Sequence, residues 1–229
     1  MKKYATFLLP GLLALLLLAA CKKDDYFKDG GLQNGKLNVN TYEFLQSNPV
    51  YFDTVVAIVE AAGMKDMLSK ENVTFFAPHN FSILKAMNML NAVRYGLNQD
   101  SLHIADIPAE IWQQYLLRYT FRDRYLLKDI ARRDSRMLQV YPGQYLESAG
   151  GYIMNLGVQF SDYSGTKDVG PRMVQITDVG DFANPVNITN NVGTSDIQTT
   201  NGVVHMLDGN HGFGFNMMAF VTTVQDYFQ

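Results

Sequence analysis

Cysteine is nearly absent: Cys21 is the only one in 229 residues, so neither an internal disulfide nor a cysteine-rich metal site can form. Long apolar runs are missing too. The apolar stretch from Phe7 to Ala20 falls short of the roughly 20 residues a helix needs to cross a bilayer. With Lys2 and Lys3 ahead of it, that stretch has the layout of a secretory leader. Charge of one sign is also scarce, with 19 Lys and Arg against 22 Asp and Glu and a formal net charge of −3. Removal of a leader at 1–20 takes Lys2 and Lys3 away and makes the balance more acidic. A nucleic-acid partner, which calls for a basic face, is not expected.

Signatures of common catalytic sites are also lacking. The sequence holds no Gly-x-Ser-x-Gly nucleophile elbow, no His-Glu-x-x-His zinc helix and no Gly-rich phosphate loop ending in Lys-Ser/Thr. Its histidines, His79, His103, His205 and His211, have no recurrent ligand spacing, so no metal or cofactor is expected. Asp178, Asp181 and Asn184 offer oxygen ligands in a turn-rich stretch without the full EF-hand pattern. A polysaccharide-acting enzyme would need two carboxylates flanking a cleft, which no spacing here specifies. Binding, not catalysis, is the expected mode of action.

At the N-terminal end, Leu18-Ala19-Ala20-Cys21 resembles a bacterial lipobox, in which the cysteine is acylated and becomes the new N-terminus. Each buried methylene contributes about 0.8 kcal/mol, and two or three acyl chains make attachment lasting. Lys22, Lys23, Asp24 and Asp25 read either as a solvated tether or as a signal resembling the acidic export motif of surface lipoproteins of the Bacteroidota. Residues 21–36, charged and broken by Gly30-Gly31 and Asn34-Gly35, read as a lipid-anchored tether.

Beyond the tether, helices come first. Asn40-Thr41-Tyr42-Glu43 carries the capping-box pattern, ended by Asn48-Pro49. A second helix then places Phe52, Val55, Val56 and Val59 at helical spacing and closes at Gly63. Val73–Ala77 reads as a short strand, followed after Pro78 by a helix bearing Ile83, Met87 and Leu90. A polar loop is expected from Asn91 to Asp106. Pro108 opens a helix whose Trp112, Tyr115, Leu116 and Tyr119 make one stripe, so the single Trp is expected in the core. Arg118, Arg122, Arg124, Lys128, Arg132 and Arg133 then concentrate positive charge. They read either as a solvated face with pairs such as Asp129 and Arg133 at i, i+4, or as a face for an anionic ligand such as an acidic glycan. Strands are expected at Met137–Val140, Tyr145–Glu147, Tyr152–Phe160, Arg172–Asp178 and Asn187–Asn190. Asn201-Gly202 is a turn leading into a buried strand, Val203–Leu207. The aromatic segment from Gly212 to Gln229 either finishes the core or forms a docking surface.

Two segments carry a family resemblance. Phe76, Ala77, Pro78 and Asn80 resemble the first signature of the fasciclin (FAS1) domain. Asp196-Ile197, Asn201-Gly202 and the strand containing His205 resemble the second. Tyr119 falls at the Tyr of the family's Tyr-His motif, with Thr120 where His is usual. The resemblance spans about Asn40 to Gly212 and implies an α+β fold: a single FAS1-like domain over 37–229, a two-sheet β wedge flanked by helices, with an aromatic C-terminal extension. It implies mainly structural roles for the motif residues, with hydrogen bonds at Asn80 and His205. Together with the lipobox, it implies an outer-membrane, surface-exposed lipoprotein. The expected role is accessory subunit of a glycan or nutrient uptake complex of the TonB-dependent transporter plus lid lipoprotein type, with protein partners and a polysaccharide ligand. Cell-surface adhesion is the alternative, and a structural periplasmic lipoprotein a further one.

Overall fold

Residues 35–228 are described by the computed structural model; the leader, Cys21, the Lys22–Asp25 motif and the tether up to residue 34 lie outside the described residues. Helix α1 (Thr41–Gln46) starts at a reciprocal cap: Glu43 N–H donates to Asn40 Oδ1 and Asn40 N–H to Glu43 Oε2, both at 2.9 Å. Pro49 occupies the first turn of α2 (Pro49–Ala61), where its missing N–H costs nothing. Gly63, at φ +67, stops that helix. A short α3 (Lys65–Lys70), which the sequence pattern does not announce, leads into β1 (Val73–Ala77), buried at every position.

Helix α4 (Asn80–Gly96) runs past Asn91, where a loop is expected. Buried polar partners explain the extra turn. Arg94, 7% exposed, donates from Nη1 to Gln225 Oε1 at 2.8 Å and from Nε to the Asp100 carbonyl. Asn91 brackets the backbone of Leu102 from both amide atoms. Helix α5 (Ala109–Leu116) carries Trp112 and Tyr115 into the core.

The strands are β2 (Thr120–Phe121), β3 (Gln144–Glu147), β4 (Ile153–Phe160), β5 (Arg172–Asp181), β6 (Asn184–Gln198) and β7 (Gly202–Leu207). With β1 they form one seven-stranded sheet in the order β2-β1-β7-β6-β5-β4-β3, parallel at β1–β7 and antiparallel elsewhere. The strands expected in a two-sheet wedge run on as one hydrogen-bonded sheet because β6 is long enough to serve both ends. Its first half, up to Asn191, pairs with β5, and from Val192 onward it pairs with β7 through two register shifts. Such bulges bend a strand and let one element change neighbours.

Met137–Val140 is a set of turns and not a strand, with Met137, Leu138 and Val140 all exposed. Its hydrogen bonds are local, from Met137 N–H to the Asp134 carbonyl and from Val140 and Tyr141 N–H to the Met137 carbonyl. Alternation alone does not make a strand without a neighbour to pair with. At the C-terminus, α6 (Met217–Tyr227) and the segment before it complete the core: Phe213 and Phe220 are fully buried, and both rings pack on Trp112 and Tyr115.

Candidate functional site

The parallel pairing of β1 with β7 sets Phe76 opposite His205 and Val73 opposite Gly202, so both signature segments lie side by side in the sheet. Gly202 is required there by space. A Cβ at this position would stand 2.2 Å from the Val73 carbonyl oxygen. Asn201 ties three elements: its Oδ1 accepts from Thr41 N–H at 2.8 Å, and its Nδ2 donates to the carbonyls of Glu71 and Leu68. Asn80 acts likewise at the start of α4. Its Oδ1 accepts from Thr54 and Val55 N–H, and its Nδ2 donates to the carbonyls of Pro49 and Val50. Pro78 sits between β1 and α4.

His205 is fully buried, stacked on Phe76 at 4.9 Å. Its Nε2–H donates to the Tyr125 carbonyl at 2.8 Å, which leaves Nδ1 to accept from Asp196 N–H at 3.3 Å. Burial pushes its pKa down, so the ring is neutral and both nitrogens are occupied. Asp196 adopts φ +62, and its carboxylate accepts from Leu127 N–H at 2.7 Å, while Ile197 packs against the core. It stands at the bulge of β6, and its side chain anchors the loop after β2. The polar atoms of these motif residues are engaged within the chain.

Tyr119 is where the structure adds something. Its hydroxyl accepts from Gly214 N–H at 2.7 Å and lies 2.7 Å from His211 Nε2, so the O–H donates to the imidazole. Thr120, in the place where the family usually has His, instead donates to the Leu116 carbonyl. An imidazole from 92 positions further along the chain thus faces the tyrosine. Both Tyr119 and His211 are fully buried, and burial pushes the phenol far up and His211 down to about 3. The nearby charges of His79 and Lys85 add to the His211 shift. Neutral and shielded from solvent, the pair acts on the fold. The signal for it is His211-Gly-Phe-Gly-Phe215, where Gly214 and Phe215 take positive φ and a Cβ at Gly214 would meet Tyr115 at 2.6 Å.

The basic run is not one face. Arg118 pairs with Asp178 at 3.1 Å and lies over the Tyr115 and Tyr152 rings. Arg122 pairs with Glu71 at 2.8 Å, and Arg124 reaches the Thr199 carbonyl. Arg132 holds Asp168 with two bonds of 2.8 and 2.9 Å, and Lys128 lies in the turn Leu127–Asp129. That turn also breaks the helical spacing on which an Asp129–Arg133 pair depends; the Asp129 carboxylate instead accepts from Leu126 N–H. Arg133 stands apart: it is 9% exposed and, among the described residues, has no carboxylate within 4.0 Å.

Asp134, Asp162 and Asp168 line one cleft with Arg132, Arg136 and Lys167. Hydrogen bonds from Arg136 hold the Asp134 carboxyl below the usual carboxylate range. A glycosidase general acid needs the opposite shift. Of the weak calcium set, Asp178 is spent on Arg118 and the Gly180 N–H, and Asp181 caps the hairpin turn at Ala183 and Asn184.

No curated protein sequence matches the chain. Among solved structures it is similar to a FAS1 domain pair from the insect cell adhesion molecule fasciclin I, at 14% identity and a TM-score of 0.37, with 74% of this chain and 44% of that one covered. The chain thus spans less than half the length of that structure. A family model described as the fasciclin domain matches residues 50–209, which takes in Asn80, Tyr119, Asp196, Asn201 and His205, and the chain therefore belongs to the fasciclin family.

Proposed function

We propose that this protein is a lipid-anchored, surface-exposed binding module of the outer membrane that works by tethering, as an accessory subunit of a glycan or nutrient uptake assembly. The observation that carries the reading is the placement of Cys21. The sole cysteine follows the apolar stretch Phe7–Ala20 and precedes the Lys22-Lys23-Asp24-Asp25 motif and a short tether, with the folded body beginning at Gly35. Lipid on Cys21 confines the domain to a thin layer and raises its effective concentration toward neighbours, so that even a millimolar contact is occupied. The internal engagement of the family motifs supports binding as the mode of action: Asn80, Asn201 and His205 use their polar atoms on the chain itself.

The test is a mild-detergent pull-down of the tagged full-length protein from native membranes, with Cys21→Ala as control and mass spectrometry of what co-purifies. A stoichiometric transporter and lid protein, lost with Cys21→Ala, is the expected result. Recovery of the protein alone overturns the uptake assembly and leaves adhesion, which cell-aggregation assays then read.

A further inference from the structure

Alternation along β4 sends Met154, Leu156 and Val158 into the core and Asn155, Gly157 and Gln159 to the opposite face. Cross-strand pairing extends that second face as two polar rows: Tyr145, Asn155, Thr177 and Thr189, then Gly157, Gln175 and Asn191. Arg133 lies flat on it, over Gly157. A Cβ at Gly157 would come within 2.2 Å of Arg133 Cβ, so only glycine leaves the guanidinium room to cross the strand. Arg133 Nη1 donates to Gln175 Oε1 at 3.3 Å, and Gln175 Nε2 in turn donates to Gln159 Oε1 and Asn191 Oδ1.

Every partner in that chain is a neutral amide. A largely buried cation is stabilised when an anion answers it; Arg118 and Arg132 have carboxylates, whereas among the described residues Arg133 has none within 4.0 Å. A cavity of about 150 Å³ opens beside it, lined by Arg133, Leu138, Pro142, Tyr145, Asn155 and Asn187. Asn155, 2% exposed, gives its Nδ2–H to the Pro142 carbonyl and leaves its buried Oδ1 with no donor. At the rim, Tyr145 and Phe182 are more than half exposed and meet edge to face at 5.5 Å.

We infer that this cavity binds the carboxylate-bearing ring of an acidic polysaccharide, a uronic acid unit. The guanidinium takes the carboxylate, the amides exchange hydrogen bonds with hydroxyls, and the aromatic pair packs on the C–H face of the sugar. A neutral sugar matches the amides and the rings but leaves the charge of Arg133 unanswered. This rests on the reading of the protein as a surface binding module and names the ligand class for it.

The test is calorimetry of the full-length protein in detergent with oligogalacturonate, oligomannuronate and a hyaluronan hexasaccharide, each against its methyl ester. The ester keeps the rings and hydroxyls and removes the charge. Expected is binding of at least one acid, weakened about tenfold or more by esterification and by Arg133→Gln, and weakened by salt. Tyr145→Ala, at an exposed position that the fold tolerates, weakens binding several-fold, whereas Arg122→Gln, on the Glu71 pair elsewhere, does not. Absence of binding by every acid, equal binding of acid and ester, or equal effects of Tyr145→Ala and Arg122→Gln overturns the assignment. If the cavity fails while the pull-down still recovers partners, the assignment falls and the tethered binding module stands. If uronates bind and the pull-down recovers the protein alone, the assignment stands and the uptake assembly falls.

Discussion

Replacing Tyr119 by Phe removes one oxygen and leaves the ring, which stacks on Phe215 at 4.8 Å. Two buried groups then lose their partner: Gly214 N–H, which donates to that oxygen, and His211 Nε2, which accepts from it. An unsatisfied buried polar group costs about 1–3 kcal/mol. The expected loss is therefore about 2–4 kcal/mol, with some relaxation of the Gly212–Phe215 loop included. His211 adds a pH signature. Its pKa in the folded chain is about 3, against an ordinary 6.5, so between those values the unfolded chain binds a proton that the folded chain refuses. Stability is complete above the unfolded value and falls as pH drops toward 3, by about 1.4 kcal/mol per pH unit for one site. His205, also lowered by burial, adds in the same direction. Urea unfolding followed by far-UV circular dichroism, at neutral pH and at about pH 5, measures both effects. Tyr119→Phe lowers stability at both pH values, and His211→Gln reduces the pH slope by about one proton equivalent. In the double variant Tyr119→Phe/His211→Leu the loss is smaller than the sum of the singles, by about 1–3 kcal/mol. A Tyr119→Phe protein within about 0.5 kcal/mol of the parent, or a His211→Gln protein with unchanged slope, refutes the buried pair.

Gly202→Ala forces the Val73 carbonyl away from a Cβ that would sit 2.2 Å from it, so β1 and β7 must separate; a loss of about 3 kcal/mol or no soluble protein is expected, read by urea midpoint. Asn201→Ala strands Thr41 N–H and the carbonyls of Glu71 and Leu68 and costs about 2–3 kcal/mol; a change under about 0.5 kcal/mol would show that water replaces the side chain without penalty. Trp112→Ala empties the centre of the cluster made with Phe213 and Phe220 and costs about 3–5 kcal/mol, whereas Tyr145→Ala at the exposed rim leaves the unfolding midpoint within about 0.5 kcal/mol of the parent.

Local chemistry made much of the framework legible. The cap at Asn40 and Glu43, the stop at Gly63, the all-apolar β1 and the turn into β7 each depend on residues within a few positions, and each appears as expected. Expectations failed where a distant partner decides. Asn91–Gly96 remains helical because Arg94 finds Gln225, and Met137–Val140 is not a strand because no neighbour pairs with it. The run from Arg118 to Arg133 reads as one stripe of charge, yet its members point to Asp178, Glu71, Asp168 and the neutral Gln175. Nothing near those arginines in the chain announces such partners.

The sequence by itself determined the family, the helix-then-strand order and the motif segments that lie on β1 and β7. These follow from short-range backbone preferences, apolar periodicity and recognisable motifs. Only the tertiary structure decided that the strands join in one sheet, that His211 supplies the imidazole facing Tyr119, and that Arg133 lies buried over Gly157 against the neutral Gln175. Each of these is a contact between residues far apart in the chain. What a buried polar group meets is set by where the fold carries its partner, and no local pattern encodes that distance.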